Sequence, residues 1–485
     1  LFFEGAIQIN WFEVDHEKRD KAAANFVFHG PKYHGVSKDD IQNSETYSLI
    51  DTVSMTHKLL QSIDHSDSDS SPFALAIAGY GTGKSHFGLT LATLFSDYLS
   101  DIAKTILKNL EAADSNIGQI ISRTIYAWSH PELVLAINGM ENFDLASELS
   151  RQALAQLRRA GCDTTALNEL WPRFMLAEQF VVRNYDLRRK EFADRFGNDA
   201  TSEEITKRLQ DHDDLAFQAV NEIFQIANGN PIKAIGFESP QQLIRTICEV
   251  YCGDEGPFRG VFIIFDEFGR FLEFAAERPH IAGDAALQQL FEAVQDNAEK
   301  CFLLCFSQFE LKTYLSRISK DKQIAIQRYI TRYDSATKYF LSTNLETLFA
   351  SLIEKKDSQY LLNYLFSSDT NDWRETYDLI KRWFPLAERS SVWRDWVHFK
   401  KVIIEGCWPL SPFATWMLSR FTDSLQHRSA ITLLAQAMER ASNFSIDEED
   451  SAFTISAVDL CGNELIEELL ATEEFGRSSS IAHAY

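Results

Sequence analysis

Ala78-Gly79-Tyr80-Gly81-Thr82-Gly83-Lys84-Ser85-His86 stands between an apolar run, Phe73 to Ile77, and a stretch with apolar residues at Phe87, Leu91, Leu94, Phe95 and Tyr98. A short strand, a glycine-rich turn and a helix, in that order, make a cradle for nucleotide phosphates. Gly79, Gly81 and Gly83 let the backbone curl until successive N–H groups face inward, and the helix that begins near Lys84 adds its partial positive charge beneath a phosphate. Within the cradle, which also includes Thr82 and His86, Lys84 is expected to reach the β and γ phosphates of ATP and the Ser85 hydroxyl to hold Mg²⁺. Ala78 occupies the position where the usual pattern has its first glycine.

A second stretch, Val261-Phe262-Ile263-Ile264-Phe265-Asp266-Glu267, is wholly apolar until it ends in two carboxylates. By itself such a run fits any buried parallel strand with polar residues at its end. Paired with the lysine turn it predicts a division of labour, Asp266 in the Mg²⁺ shell and Glu267 as the general base that polarises water. Further along, Cys301 to Phe306 reads as a strand tipped by Ser307-Gln308. Gln308 is the candidate to orient the γ phosphate or the lytic water; an ordinary polar strand end is the other reading.

The composition narrows the class of protein. With 485 residues, 45% of them hydrophobic, the chain can bury a large core and should divide into two or three domains. No apolar stretch approaches the ~20 residues that span a bilayer, and no leader pattern is present, so a soluble cytoplasmic protein without a membrane partner is expected. The chain begins at Leu1 and is compatible with being a fragment. Seven scattered cysteines without a C-x-x-C pair read as reduced thiols, and the twelve histidines show no zinc spacing, so no transition metal is assigned. A net charge of −23 opposes non-specific adhesion to nucleic acid, which leaves local contacts or a partner to supply any binding to DNA or RNA.

Taken in order, residues 1–60 read as an N-terminal adaptor with a short strand near Asn25 to Val36 and helical spacing at Leu49, Val53, Met55 and Leu59. His29 and His34 can touch a base or phosphate, or simply satisfy loop backbone. Residues 61–165 form the first part of the nucleotide core, with a strand at Leu133 to Ile137 and a helix capped by Asp144. Lys84 and Asp266 are 182 positions apart, and residues 166–250 read as a helical insertion, with a capping box at Thr201 to Glu204. There Arg173, Arg183, Arg188, Arg189, Lys190 and Arg195 interleave with Phe174, Phe180, Tyr185, Phe192 and Phe196. The pattern suits either a nucleic-acid grip or an amphipathic helix with snorkelling charges. Residues 251–340 complete the core; Arg328 and Arg332, four apart on one helix face, suit an arginine reaching a neighbouring subunit's γ phosphate or a surface ion pair. Residues 341–485 read as a C-terminal helical lid, broken at Trp408-Pro409-Leu410-Ser411-Pro412, with Arg428 a nucleotide contact and an acidic tail of ten acids against one base over 441–485.

Set side by side, these blocks resemble the large AAA+-like P-loop ATPases of bacterial phage-defence islands, especially those of BREX systems. The blocks are Phe28-His29-Gly30-Pro31-Lys32-Tyr33-His34-Gly35, Gly81 to His86, Asp266-Glu267-Phe268-Gly269-Arg270-Phe271-Leu272-Glu273, Ser307-Gln308-Phe309-Glu310, Arg328 to Asp334, and Trp408 to Pro412 leading to Gln426-His427-Arg428-Ser429. Phe306 stands where that family has a histidine. The resemblance implies an α/β P-loop NTPase with a parallel sheet core, a helical insertion and a C-terminal helical lid. It also implies assembly into a homo-oligomer or ring, and work on DNA or on a defence effector protein. Two functions follow as expectations: an ATP-hydrolysing motor or switch, or a nucleotide-gated scaffold that organises an effector enzyme with little hydrolysis. A small-molecule kinase is disfavoured because Glu267 beside Asp266 suits water activation.

Overall fold

The computed structural model describes residues 7–31, 49–65, 71–78, 83–232, 239–283, 285–309, 311, 314, 327, 333, 336–341, 345–353, 355, 357–366, 372–385, 387, 390–421, 430–441 and 454–460. Six strands, β1 (Leu49–Ile50), β2 (Phe73–Ile77), β3 (Glu132–Asn138), β4 (Gly260–Asp266), β5 (Cys301–Ser307) and β6 (Thr337–Leu341), form one sheet in the order β1-β6-β2-β5-β4-β3. Every pairing in it is parallel. Parallel neighbours require crossover connections, and helices supply them on both faces, which is why β2, β4 and β5 are buried along their whole length and read as unbroken apolar runs.

Alternate side chains of the strands feed two cores. Phe73, Leu75, Leu135, Ile263, Phe265 and Leu303 face one; Ala74, Ala76, Val134, Phe262, Ile264 and Leu304 face the other. This is the period-two consequence of the pleat. The first core takes in the helices of the insertion, Pro172–Asn184, Arg189–Phe196, Ser202–Gln210 and Asp214–Asn228, through Phe174, Phe180, Phe192, Leu209 and Val220. The second takes in the N-terminal segment through Phe12, Ala22, Phe26 and Phe28, and the helices Asp101–Ala113 and Ser115–Tyr126. Two smaller cores, around Phe349 and Leu418 and around Trp393 and Phe399, belong to the C-terminal helices.

Sheet edges are closed in different ways. β1 has only two residues, too short to template another chain. At the other edge Gln152, from the helix Leu145–Arg159, accepts from the Ala136 amide at 2.7 Å and donates to the Ala136 carbonyl at 2.8 Å, standing in for a missing strand.

The capping residues read from sequence do their work. Asp144 accepts from Ser147 N at 2.8 Å, and Thr201 and Glu204 form the reciprocal box. Other expectations need correction. Phe26 to Phe28 is not a strand; it is irregular chain whose rings pack on His86 and Phe87 instead of pairing with a neighbour. Leu49 lies in β1, and the helix begins only at Thr52, capped by Asp51. The helix after the lysine turn ends at Ser96, so Tyr98 lies beyond it, its hydroxyl on the Trp128 carbonyl at 2.8 Å. Among the described residues no helix is long and apolar enough to cross a membrane.

Candidate active site

In a parallel α/β sheet the carboxyl ends of all strands lie along one side, and ligands bind there. The order β2-β5-β4 sets the strand that leads to Lys84, the glutamine-tipped strand and the acid-tipped strand side by side. Beyond β2, the Ala78 amide donates to the Ser307 carbonyl at 3.1 Å, so the chain leaves the sheet alongside the tip of β5. Gly83, at φ 80°, takes the left-handed turn into the helix Lys84–Ser96, a conformation that glycine adopts without a Cβ penalty. Lys84 is only 5% exposed, and its Nζ donates to the Ala78 carbonyl at 2.8 Å across the base of the loop. Burial pulls its pKa down while the charges of Glu267 and Asp266 pull it up, which places the ammonium within electrostatic reach of both carboxylates.

Asp266 ends β4, 3% exposed, and the Ser85 side chain is hydrogen-bonded to it. Burial raises its pKa to about 6, with the Ser85 hydrogen bond acting against that shift and the Glu267 charge adding to it. Glu267 follows at φ 51°, a left-handed conformation that few non-glycine residues adopt and that concentrates at functional sites. The turn swings its carboxylate toward β5, where Gln308 Nε2 donates to Oε1 at 3.1 Å and to Oε2 at 2.9 Å. The backbone is held from the other side by Gly139, whose amide donates to the Asp266 carbonyl at 2.9 Å. A Cβ there would lie 2.6 Å from the Glu267 carbonyl oxygen and 2.9 Å from that of Asp266, so only glycine allows the approach.

Five residues read from sequence, Lys84, Ser85, Asp266, Glu267 and Gln308, therefore converge at adjacent strand tips. Gly79, Gly81, Thr82, Arg328, Arg332 and Arg428 lie outside the described residues. His86 differs from its expected role: its ring faces the N-terminal segment, with Nε2 donating to the Ala22 carbonyl at 2.7 Å and the Phe26 ring edge-on at 4.9 Å, which leaves its backbone N–H at the first turn of the helix. The aromatic residues of the insertion are also turned inward, with Phe174, Phe180 and Phe192 buried and Tyr185 and Phe196 packed on the same core, so they offer no base-stacking platform. Arg173 is buried among Asp144 (3.5 Å), Asp214 (3.8 Å) and the Ser147 hydroxyl. Gly139 had a legible trace, a glycine directly after a strand ending in asparagine; Gly269 stood inside the Asp266 to Glu273 block without its role being readable, and Tyr314 had no trace.

The donor set suits a nucleotide with Mg²⁺. A buried ammonium, a hydroxyl paired with a carboxylate and the N–H groups of a helix start are what phosphate oxygens and a hard cation bind. Among the described residues no three His, Cys, Asp or Glu side chains gather as a metal cluster. A site of one carboxylate and one hydroxyl leaves the remaining ligands to phosphate and water.

Burial holds both His29 and His86 at about 4, below the ordinary 6.5, so the unfolded chain binds protons there that the folded chain does not. That stability is complete above pH 6.5 and is lost as pH falls toward 4. The melting-temperature advantage of the wild type over His86→Gln should accordingly shrink across this interval. An advantage constant from pH 7 to 4.5 excludes His86 as a titrating clamp on the N-terminal segment.

Compared with protein-family models, with curated proteins and with solved structures, the chain matches none of them. What stands is an α/β protein with an all-parallel sheet of the kind a P-loop core has.

Proposed function

We propose that this protein is an ATP-binding and ATP-hydrolysing AAA+-like P-loop ATPase. The observation that carries the reading is the meeting of Ser85 with Asp266 and of Gln308 with Glu267 beside the buried Lys84. In it, Lys84 holds the β and γ phosphate oxygens, and Ser85 and Asp266 hold the cation. Mg²⁺, when bound, neutralises charge on the phosphate oxygens. Glu267 takes the proton of the attacking water, and Gln308 fixes the direction of its carboxylate. The AAA+-like assignment draws support from the strand order, which sets the polar tip of β5 directly beside the acid-tipped β4.

The sequence resemblance suggests the setting, a motor or switch subunit of a multimeric anti-phage defence complex. With a net charge of −23 and the aromatic residues of the insertion facing inward, contacts to an effector protein are favoured over a nucleic-acid groove.

Purified protein should bind Mg·ATP and release phosphate, and Lys84→Ala should weaken nucleotide affinity about 100-fold, the scale of removing one partner from a desolvated charge pair. Titration with a fluorescent ATP analogue alongside phosphate release reads both. A wild-type protein that binds no nucleotide at millimolar Mg·ATP sinks the reading.

A further inference from the structure

Glu267 depends on Gln308 for its direction, and Gln308 sits on a turn that is itself held from beneath. Tyr314 is 1% exposed, and its hydroxyl lies 3.3 Å from Ser307 Oγ and accepts from the Gln308 backbone amide at 3.4 Å. Ser307 Oγ also donates to the Phe309 carbonyl at 2.8 Å, closing the turn at the end of β5. The phenol reaches this position by lying against the helix Phe268–Glu277 at Gly269, where a Cβ would stand 2.0 Å from Tyr314 Cζ and 2.4 Å from its oxygen. Glu267 is the N-cap of the same helix. One ring therefore braces the glutamine turn on one side and touches the first turn of the glutamate's helix on the other.

We propose that Tyr314 is a positioning residue for hydrolysis: its hydroxyl sets the Ser307–Gln308 turn so that the Gln308 amide meets the Glu267 carboxylate, and Gly269 is glycine to admit the ring. This rests on the ATPase reading above and adds a residue to it. Tyr314 acts through Gln308, so its effect must vanish when the Gln308 side chain is gone.

The experiment compares wild type, Tyr314→Phe, Gln308→Ala and the double variant in steady-state ATP hydrolysis and nucleotide binding. Hydrogen–deuterium exchange over residues 301–309 is measured without nucleotide. Tyr314→Phe should lower kcat about tenfold, the scale of one hydrogen bond lost from a positioned group. KM and nucleotide affinity should stay within about twofold, because no phosphate contact is touched. The Gln308 amide should exchange faster, and the double variant should turn over no more slowly than Gln308→Ala. Gly269→Ala, which leaves the hydroxyl present but displaces the ring, should reproduce the kcat loss.

Unchanged kcat and unchanged exchange in Tyr314→Phe overturn the proposal, as does a further tenfold loss when Tyr314→Phe is added to Gln308→Ala. A wild type without turnover overturns the ATPase reading and this proposal together, whereas a wild type with turnover and an indifferent Tyr314→Phe overturns this proposal alone.

Discussion

Glu267→Gln should lower steady-state ATP turnover about 100-fold or more, the usual contribution of a general base, while Mg·ATP binding stays within about threefold of the wild type. The substitution keeps the side chain's length and the left-handed turn at φ 51°. It replaces a carboxylate that accepts from Gln308 Nε2 through both oxygens with an amide that has one accepting oxygen and no basic lone pair to take a proton. Lys84, Ser85 and Asp266, to which the proposal gives the binding contacts, are untouched. A kcat/KM loss arising wholly from KM, or turnover equal to the wild type, removes Glu267 from the role of base. Single-turnover phosphate release with enzyme in excess separates the chemical step from product release.

Arg173→Met should lower the free energy of unfolding by about 3–5 kcal/mol, the cost of breaking a buried ion pair by deleting one partner. Arg173 lies between Asp144, the cap of the helix Leu145–Arg159, and Asp214, the first residue of the helix Asp214–Asn228, with its guanidinium 5.0 Å above the rings of Phe174 and Phe217. Without it the two carboxylates face each other in a site that already holds Asp214 at about 6, chiefly by burial and then by the charge of Asp144, with Arg173 the largest opposing influence ahead of hydrogen bonds from Gln218 and Ser147. In the variant that pKa moves further up, so above about 6 Asp214 is protonated in the variant while still ionised in the wild type, and the destabilisation shrinks as pH falls toward about 6 and levels off below it. Urea unfolding at pH 8 and pH 5 measures both. A loss under about 1 kcal/mol, or one equal at the two pH values, shows that the arginine is not balancing those charges.

The four strands β2 to β5 were legible because a parallel strand covered on both faces reads as a near-continuous apolar run, interrupted here only at strand ends, as by Glu132, Asn138, Asp266 and Ser307. β6 was not legible, since Thr337–Leu341 is exposed at one residue and half-buried at two, and β1 offers too few residues for any period to register. At Phe26 to Phe28 the apolar run was visible, but its partner is the pair of rings on the helix Lys84–Ser96, and nothing in composition distinguishes that from a ladder. The insertion misleads in the same way. Arginine beside aromatic residues is the pattern of a nucleic-acid grip and also that of a helix that buries its rings and wets its charges; only the direction of the side chains decides. The site divides similarly. Residues proposed to touch phosphate, cation or water carry that chemistry in their identity, so Lys84, Ser85, Asp266, Glu267 and Gln308 could be named from the sequence, and the structure brings them together. Tyr314 and Gly269 act through shape, and the fit of one ring against one missing Cβ, 45 residues away in the chain, leaves no mark in sequence.

The strand order has a consequence for biosynthesis. Both neighbours of β2 are encoded late: Cys301, where β5 begins, lies 224 residues beyond Ile77, and β6 follows later still. At ~5–20 residues per second, a ribosome takes roughly 10–45 s to cover that interval. Throughout it the five-residue segment that leads into the glycine turn has no backbone partner, and the nascent polypeptide must shelter it by other means until translation reaches its mate.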